Sequence, residues 1–501
     1  MNILETDVRS DSSSWTIKYS ETRGRGLFAN RDIKGGEIIF VDSPLLIGPR
    51  TGTDRVFCVN CFSTKNVSAC SKKCGLPVCS RKCEKAHRKE CEFIASRSKK
   101  QLTQINFDIF RCLTPLRGLL LNNERLLELF KSHEGLHHGF EVEILKRYLR
   151  FNEGEELLLR SLCSVLDTNT FEVIAGVKSD ELSVRGLYPL SSMLNHSCTP
   201  NISHYFDSHQ KMTVKASMPI KKGDEICHSY TKTFWGTCVR QPYLRQTKHF
   251  SCVCFRCQDP TECGSNLCAI NCTRCTGVVL PSYDTNANVI WRCLKCNFAM
   301  PPKLAGVLLA ILGSRLTSLL SANPIEIFNF LKHQLPKYAP MSNQVAVQLK
   351  LRLVWLLGYQ TNYLWNDLSD DLLKEKEEIC RELLKLLEML RAGQSKMRGL
   401  ILYELYRCMQ EWKRRYRLAD DHRALLEEAK EILKDDVNAP KEIQNVFHLS
   451  VTHIWQLLQH DRPALNWQTI LHQFGKLSPC RRGELSVWKE TAYIKNLKPL
   501  C

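Results

Sequence analysis

Closely spaced cysteine pairs place the strongest constraint on how this 501-residue chain folds. The chain has 25 cysteines, and most lie between residues 58 and 91 or between residues 252 and 296. A disulfide framework is expected in small secreted domains. The N-terminus has no basic segment followed by an apolar one, so we expect no secretory signal. In a large chain without such a signal, paired cysteines predict zinc sites instead.

The spacing of the ligands predicts several zinc sites. Four short-spaced pairs provide eight ligands, enough for two tetrahedral ions: Cys58, Cys61, Cys70, Cys74, Cys79, Cys83, His87 and Cys91. Three further cysteines need a fourth ligand: Cys252, Cys254 and Cys257. Two Cys-x2-Cys pairs separated by 17 residues have the spacing of a zinc ribbon: Cys272, Cys275, Cys293 and Cys296. Cys263 and Cys268 are left over as candidate free thiols.

Length and composition predict a globular protein of two to four domains, with 44% hydrophobic residues. No apolar run reaches the roughly 18 residues of a membrane span, so we expect no membrane association. The net charge is +18, and zinc-bound thiolates would lower it to about +11. A basic surface suits acidic proteins or nucleic acid. An ordinary protein with a positive surface explains the charge equally well, and no motif supports nucleic acid.

Two polar segments define a candidate ligand site. One runs from Leu194 to Asn201 and contains an Asn-His pair, and the other runs from Gly223 to Tyr230. Residues 204–216 between them carry the β-branched and aromatic residues of a strand pair. Two polar segments that close on a small sheet would suit a polar ligand.

These segments resemble the SET-domain lysine methyltransferases. The eight-ligand module resembles a MYND finger, and a MYND finger inserted into a SET domain is specific to the SMYD group. The ribbon resembles the arthropod SmydA branch. The finger departs from the usual pattern in its ligand spacing, and Val78 replaces a frequent aromatic. Proline-rich peptide partners for this finger are therefore a weaker expectation.

The resemblance implies an α+β fold. A mostly-β SET domain would be split by the finger and a helical insert, then followed by the ribbon and an all-α, helical-hairpin, tetratricopeptide-like C-terminal domain. The expected boundaries are 14–50 for the N-terminal SET part, 58–91 for the finger, 92–180 for the helical insert, 181–232 for the SET core, 233–262 for the post-SET segment, 263–300 for the ribbon and 301–501 for the helical domain.

The resemblance also implies S-adenosylmethionine as the cofactor. The residues that would contact it are Arg23, Gly24, Arg25, Asn169, Asn195, His196 and Phe250. Tyr230 stands where the family keeps its active-site tyrosine, whose hydroxyl orients the amine of the substrate lysine. The first three residues lie in a segment, Thr16 to Asp42, that we interpret as a hairpin with Gly35-Gly36 as the turn between strands. His228 has no matched role and is expected to be an ordinary surface or strand histidine.

The family's ligand sets assign the zinc sites, which would all be structural. One ion of the finger would be held by Cys58, Cys61, Cys79 and Cys83, and the other by Cys70, Cys74, His87 and Cys91. Cys198 would complete the third site with Cys252, Cys254 and Cys257. The ribbon would hold a fourth ion.

The chain after Pro301 is expected to be helical. Ser369 opens a helix with an apolar face that ends near Ala392-Gly393, and Ser395 caps the next helix. Further helices are predicted over 342–359, 421–433 and 440–458.

Two functions remain open. The first is a protein-lysine methyltransferase that modifies histone or other proteins in gene regulation, as a monomer in the cytoplasm and nucleus. The second is an adaptor or transcriptional co-regulator with a SET fold but little activity. Lys248 motivates the second, because it replaces an aromatic that the family commonly keeps beside the lysine channel. We expect Lys248 to turn to solvent, with Tyr243 filling the channel. A neutral inward amine or a weakened site are the alternatives.

Overall fold

The structure is a computed structural model that describes residues 13–20, 23–121, 139–175, 182–283, 289–417, 422–436 and 439–440.

The N-terminal segment supplies four strands to the fold. The first strands are β1 (Trp15–Ser20), β2 (Gly24–Ala29), β3 (Ile38–Asp42) and β4 (Leu46–Pro49). β1 and β2 form an antiparallel hairpin in which Trp15 is opposite Ala29.

The cysteine-rich module that follows consists of two short strands and two helices. It contains β5 (Ser68–Ala69), β6 (Pro77–Val78), α1 (Arg81–Ala86) and α2 (Arg88–Arg97). β5 pairs with β6, and the Ser80 side chain caps α1 by accepting the N–H of Cys83. α2 runs past the expected end of the module at residue 91, so the finger and the helical insert share a helix.

Four helices and a strand form the next segment: α3 (Phe107–Arg111), α4 (Leu113–Leu120), α5 (Phe140–Tyr148), α6 (Glu153–Asn169) and β7 (Phe171–Ala175). A capping box between Asn152 and Glu155 begins α6. The insert expected over 92–180 is therefore not wholly helical. Its end is a strand, because Phe171 and its neighbours pair with the strand that follows in the chain.

Five strands complete the SET region: β8 (Leu182–Leu187), β9 (Asn195–His196), β10 (Ile202–Phe206), β11 (Met212–Ala216) and β12 (Glu225–His228). Three sheets result, with the strand orders β1-β2-β12-β9, β10-β11-β3 and β4-β8-β7. β10 and β11 are antiparallel, which confirms the strand pair predicted within residues 204–216.

The predicted hairpin with its turn at Gly35-Gly36 is wrong. β2 pairs with β1 and β12, whereas β3 pairs with β11 in a different sheet. The connection is held to the segment after β11 instead. Ile33 forms a bridge with Ile220, and the Gly36 N–H donates to the Ala216 carbonyl over 2.8 Å. These long-range bonds carry the chain from one sheet to the next, so the glycines do not close a local hairpin.

Two helices and a second cysteine-rich module follow the SET region. The helices are α7 (Thr237–Lys248) and α8 (Phe255–Gln258), and the strands are β13 (Ile270–Asn271), β14 (Val278–Tyr283), β15 (Val289–Cys293) and β16 (Ala299–Met300). β13 to β16 form one antiparallel sheet in chain order. This sheet carries the predicted ribbon cysteines.

The rest of the described chain is helical: α9 (Pro302–Leu319), α10 (Pro324–Asn329), α11 (Gln344–Leu356), α12 (Asp370–Met389), α13 (Lys396–Tyr416) and α14 (Arg423–Leu433). The predicted caps are confirmed, because Ser369 accepts from the Leu372 N–H and Ser395 from the Arg398 N–H. The helix predicted over 440–458 lies outside the described residues. A tetratricopeptide-like arrangement stays a prediction.

Two large cores and the contacts between them set the position of the site. One core joins α7, the ribbon sheet and the C-terminal helices, and the other joins the SET strands, the first cysteine module and the insert. The helical part also contacts the β10–β11 pair. The Tyr205 hydroxyl donates to the Ile432 carbonyl over 2.9 Å, and the Gln394 N–H donates to the Ser217 carbonyl over 2.7 Å.

One helix of the described chain, α9, is long and apolar enough to cross a bilayer by length and composition alone. Seven of its residues, among them Leu308 and Leu312, are buried in the core. The inner helices of many globular proteins pass the same test, so this helix is weak evidence for a membrane span.

Candidate active site

The two polar segments meet because β9 and β12 are parallel neighbours. Asn195 is paired with Cys227, and His196 with His228. Asn201 fixes this register from the side. Its Oδ1 accepts the Cys227 N–H over 2.8 Å, and its Nδ2 donates to the first carbonyl of β12 over 2.8 Å. The structure therefore brings together the segments that the sequence separates by about thirty residues.

Glu225 joins the predicted cofactor residues of three strands. Its carboxylate forms an ion pair with the Arg23 guanidinium, with 2.5 Å between Nη1 and Oε2. Its other oxygen accepts from Asn195 Nδ2 over 2.8 Å. The same amide group also donates to the Arg25 carbonyl over 3.1 Å. A cation and a carboxylate thus lie side by side at the start of β2.

Two glycines allow this close packing. Gly24 has a φ of +70°, a backbone conformation that residues with a Cβ rarely adopt. A Cβ on Gly26 would lie 2.7 Å from Asn195 Nδ2 and 2.8 Å from Glu225 Oε1. The polar side chains of Asn195 and Glu225 therefore fill the space beside Gly26, and a methyl group at Gly26 would displace them.

His196 and Tyr230 form one hydrogen-bonded unit. The Tyr230 N–H donates to His196 Nδ1 over 2.9 Å, and the Tyr230 hydroxyl donates to the Leu194 carbonyl over 2.7 Å. Burial lowers the pKa of His196 to about 3, so the imidazole is neutral near pH 7. Burial also raises the pKa of Tyr230 above its usual value. The tyrosine is therefore a protonated phenol whose ring and hydroxyl are both held.

Phe250 completes an aromatic corner at this site. Its ring centroid lies 5.8 Å from that of His196 and 6.4 Å from that of Tyr230. The rings of His196 and Tyr230 are 5.1 Å apart. Phe250 and Tyr230 are both half-buried, so the corner has faces that a ligand can contact. Aromatic faces attract cations such as a sulfonium.

The third cysteine cluster lies directly behind this corner. The ligand atoms of Cys198, Cys252, Cys254 and Cys257 lie within 4.8 Å of one another. His196 Nε2 is 3.1 Å from Cys198 Sγ. Because Nδ1 of His196 is an acceptor, the proton of the neutral ring is on Nε2 and points at this sulfur.

Buried charges support thiolates in this cluster. Arg240 Nε donates to Cys198 Sγ over 3.2 Å, and its Nη2 lies 3.6 Å from Cys257 Sγ. Glu262 forms ion pairs with both Arg240 and Arg256, at 2.6 and 3.1 Å. All three ionic side chains are at most 1% exposed. Two guanidinium groups against one carboxylate leave a positive charge, which favours deprotonated sulfur.

Three further clusters have the ligand types and spacing that suit a metal ion. Each set of ligand atoms lies within 4.8 Å, and the finger sets are interleaved as expected. The members are Cys58, Cys61, Cys79 and Cys83; Cys70, Cys74, His87 and Cys91; and Cys272, Cys275, Cys293 and Cys296. Four-sulfur and three-sulfur-one-nitrogen donor sets are typical of structural zinc.

A second wall of rings lies on the other side of Tyr230. The His204 and His228 rings are 4.8 Å apart, and each lies within 5.7 Å of the Phe171 ring. His228 also lies 6.0 Å from Tyr230. The prediction of an ordinary surface or strand histidine was wrong as to the surface. His228 is in strand β12, but it faces this cluster.

The two histidines of the wall are neutral at physiological pH. Burial lowers the pKa of His204 to about 4, with Lys396 as a further cause. Burial lowers the pKa of His228 well below its usual value, and the neighbouring His204 acts in the same direction. Both side chains are half-buried. A ligand bound beside Tyr230 on this side would therefore contact uncharged imidazole rings.

Lys248 does not turn to solvent, which corrects the sequence-based expectation. Its Nζ donates to the carbonyls of Asp167 and Thr168, over 3.2 and 2.6 Å, and lies 5.6 Å from the centroid of the Tyr230 ring. These carbonyls are in the last turn of α6. Carbonyl groups at the end of a helix lack helical partners and carry partial negative charge, which explains the inward position of the amine.

Tyr243 lies near the site on α7. Its ring packs edge-on against Trp235, with 5.4 Å between the centroids. Tyr243 also packs, with Tyr230 and Phe250, against the cluster around Cys198 and Leu244. Its place in the channel stays a prediction.

Asn169 is buried at the end of α6, near the site but bound to its own helix. Its Nδ2 donates to the Val165 carbonyl over 2.8 Å, and its own carbonyl accepts from Ser192 Oγ over 3.1 Å. The residue is the last of helix α6. Its predicted contact with the cofactor stays a prediction.

Several residues of the site were missed by sequence analysis. Glu225 and Gly26 lie inside quoted motifs, and their charge and size were the available signals. Arg240 and Glu262 gave no local signal, because they are 22 positions apart in the chain. Their importance follows from burial and pairing, which only a fold reveals.

Comparison with known proteins matches one family model and several relatives. The SET domain family matches residues 24–231. The chain is 31% identical over 419 residues to the SET domain-containing protein SmydA-8, isoform A, of Drosophila melanogaster, which covers 80% of this chain and 89% of that one. It is 27% identical over 310 residues to histone-lysine N-methyltransferase ASHR1 of Arabidopsis thaliana, covering 54% and 62%. It is also 27% identical over 264 residues to histone-lysine N-methyltransferase SMYD3 of Homo sapiens, covering 47% and 59%.

Proposed function

Because the chain belongs to the SMYD family of SET-domain proteins, in its SmydA branch, we propose that it is an S-adenosylmethionine-dependent protein-lysine methyltransferase. The observation that carries this proposal is the hydrogen bond between the Tyr230 N–H and His196 Nδ1. It joins Tyr230, which follows β12 and is predicted to be catalytic, to His196 on β9, which is predicted to contact the cofactor.

The residues present fit the cofactor. Its methionine part carries a carboxylate and an ammonium, and Arg23 and Glu225 offer the opposite charges side by side. The aromatic corner of Tyr230 and Phe250 suits its sulfonium. Bound S-adenosylmethionine would supply a methyl group on positively charged sulfur. The remaining task of the chain is to hold and orient the amine that accepts it.

Orientation of the acceptor amine falls to Tyr230 and its surroundings. The phenol hydroxyl donates to the Leu194 carbonyl, so its oxygen is left as an acceptor for an N–H of the incoming lysine. Transfer requires a neutral lysine, since an ammonium has no lone pair. The walls around Tyr230 contribute uncharged rings, and such a partly desolvated channel favours the neutral amine.

The four cysteine clusters would each hold one structural zinc ion, as their donor sets suggest. The one formed by Cys198, Cys252, Cys254 and Cys257 has a direct bearing on activity. It fixes the segment that carries Phe250 and contacts His196 through Cys198. Loss of that ion would therefore loosen the cofactor corner, whereas the ribbon cysteines form a separate cluster.

The partner would be a protein with an accessible lysine. Two relatives are named as histone-lysine methyltransferases, which makes histones one candidate class and non-histone proteins the other. Action in gene regulation, with residence in the cytoplasm and nucleus, extends this proposal. The finger remains a candidate site for proline-rich peptides.

The adaptor function is favoured by one observation. Lys248 places an amine beside Tyr230, and a cation there would repel both a sulfonium and a protonated substrate lysine. Calorimetric titration of the full chain with S-adenosylmethionine separates the two functions. We expect saturable binding that weakens in Asn195→Ala. Absence of binding by zinc-loaded, folded protein would contradict the methyltransferase and favour the adaptor.

A further inference from the structure

Lys248 is the one lysine among the described residues whose ammonium lies on the Tyr230 ring. The Nζ atom is 5.6 Å from the ring centroid. The side chain is half-buried and extends from the end of α7 to the end of α6. The chain thus places an amine of its own beside the residue that is proposed to orient a substrate amine.

The two hydrogen bonds of Lys248 leave one position on its Nζ nitrogen. An ammonium has three N–H groups, and two of them are used by the carbonyls of Asp167 and Thr168. A neutral amine keeps two N–H groups, enough for both carbonyls, and has a lone pair in the third position. Neither carbonyl takes this third position, and the Tyr230 ring centroid lies 5.6 Å from Nζ. Loss of the proton therefore breaks neither hydrogen bond and prepares a nucleophile.

Burial makes that loss accessible near neutral pH. It lowers the pKa of Lys248 to about 8, and Arg50 acts in the same direction while Asp167 opposes it. The carbonyls that hold Nζ limit its motion, so the amine does not need to be brought in from solvent. Held position and a reactive protonation state are the two requirements of a methyl acceptor.

We propose that Lys248 is a methyl acceptor of its own active site, and that the chain transfers one methyl group from S-adenosylmethionine to Lys248 Nζ. This rests on the proposed function. The Nζ lone pair forms a bond to the methyl carbon while the bond from that carbon to sulfur breaks. Sulfur keeps the electron pair, leaving S-adenosylhomocysteine and a positively charged methylammonium. The proton that Nζ lost beforehand passes to solvent.

The same geometry predicts that the reaction stops after one methyl group. A monomethylammonium has two N–H groups, which satisfy the carbonyls of Asp167 and Thr168. A second transfer needs the neutral form, which has only one N–H and cannot keep both of the hydrogen bonds that hold Nζ. Monomethyl-lysine is therefore the expected product.

Peptide mass spectrometry of the full, zinc-loaded chain after incubation with S-adenosylmethionine tests the proposal. We expect one methyl group on Lys248 in the wild type and in Lys222→Arg, a control at an exposed lysine before β12. We expect that mark to fall sharply in Tyr230→Phe, because the ring beside Nζ loses the hydrogen bond from its hydroxyl to the Leu194 carbonyl. Lys248→Arg should lose it while keeping a cation at the position. Thermal unfolding of each variant checks that it is folded.

A mixture of two variants decides whether the transfer is internal. The Lys248→Arg chain supplies an active site with an intact Tyr230, and the Tyr230→Phe chain supplies an unmodified Lys248. Because the side chain is half-buried and held, we expect no mark on Lys248 of the Tyr230→Phe chain in this mixture. A mark there would mean transfer between molecules and would overturn the internal reaction.

A measurement without cofactor tests the reactive state independently. The rate at which an amine-acetylating reagent modifies Lys248 reports its neutral fraction, and we expect half of the maximal rate near the lowered pKa. Methylation of extract proteins by the wild type, with no mark on Lys248, would overturn this proposal and leave the proposed function intact. Cofactor binding with neither product would contradict both.

Discussion

The Tyr230 N–H donates to Nδ1 of His196 over 2.9 Å, and the opposite ring nitrogen of His196 lies 3.1 Å from Cys198 Sγ. One imidazole therefore spans the distance between the transfer site and the third cysteine cluster. Its two nitrogens have different roles, an acceptor toward Tyr230 and a donor toward sulfur. Positioning of the tyrosine and integrity of the cluster are thereby coupled.

His196→Ala should remove this coupling. The Tyr230 N–H and the sulfur each lose a partner, which should lower the free energy of unfolding by about 1–3 kcal/mol. The losses in the free energy of cofactor binding and in the rate of methyl transfer, both expressed as free energies, should be larger than this loss in the free energy of unfolding. Calorimetry and chemical denaturation measure the two effects. His209→Ala, at an exposed histidine between β10 and β11, should leave both unchanged; equal losses in the two variants would argue against a specific role.

Gly26→Ala should weaken cofactor binding. The added methyl would press on Asn195 Nδ2 and Glu225 Oε1 at less than 3 Å, so Asn195, which is predicted to contact the cofactor, and its partner Glu225 must move. Gly52→Ala is the matched control, because a Cβ there meets nothing within 4 Å. Titration calorimetry of both variants is the measurement. Unchanged affinity in Gly26→Ala would show that this packing is not needed for the ligand.

Zinc content should be four ions per chain, since four donor sets of four ligands are present. Elemental analysis of native protein in metal-free buffer gives the count, and two ions or fewer would contradict it. Cys252→Ser should impair cofactor binding more than Cys293→Ser does. Only the former belongs to the cluster that includes Cys198 and contacts His196.

Methylation of Lys248 should depend on pH with a plateau. Only the neutral amine reacts, so below the lowered pKa of about 8 the rate should rise about tenfold per pH unit and then level off. Besides burial, Arg50 lowers the pKa of Lys248 and Asp167 raises it, and the neighbouring His228 stays neutral because its own pKa is lowered. Initial rates followed by mass spectrometry test this. A continued rise to about pH 10.4, as for an ordinary lysine, would contradict the burial of the amine.

The sequence predicted best what depends on short spacings. Cysteine pairs a few residues apart predicted most of the ligands, and single serines at 369 and 395 predicted helix starts, because each depends on one or two turns of chain. The grouping of the pairs into sets, and Cys198 in the third set, came from the family resemblance instead. The predictions that failed depend on distant partners. Gly35-Gly36 looked like a hairpin turn, but β3 finds its partner about 170 residues later, in β11.

Lys248 shows the same limit at the site. Its charge predicts exposure when only the local sequence is considered. Its actual position follows from two carbonyls at the end of α6, some eighty residues earlier in the chain. Likewise, Glu225 stood within a quoted motif, but its link to Arg23 and Asn195 needed three strands in register. Tertiary pairing, which no local pattern encodes, decided these outcomes.

The most direct test of the account is methyl transfer to a protein extract by the wild type and by Tyr230→Phe. The substitution removes one hydroxyl that donates to the Leu194 carbonyl, so it should change stability by about 1 kcal/mol and leave cofactor binding intact. Tritiated methyl incorporation is the measurement. The account predicts clear incorporation by the wild type and loss of most of it in Tyr230→Phe. Equal incorporation by both proteins would contradict the role of Tyr230, and absence of incorporation by the folded, cofactor-bound wild type would contradict the proposed function.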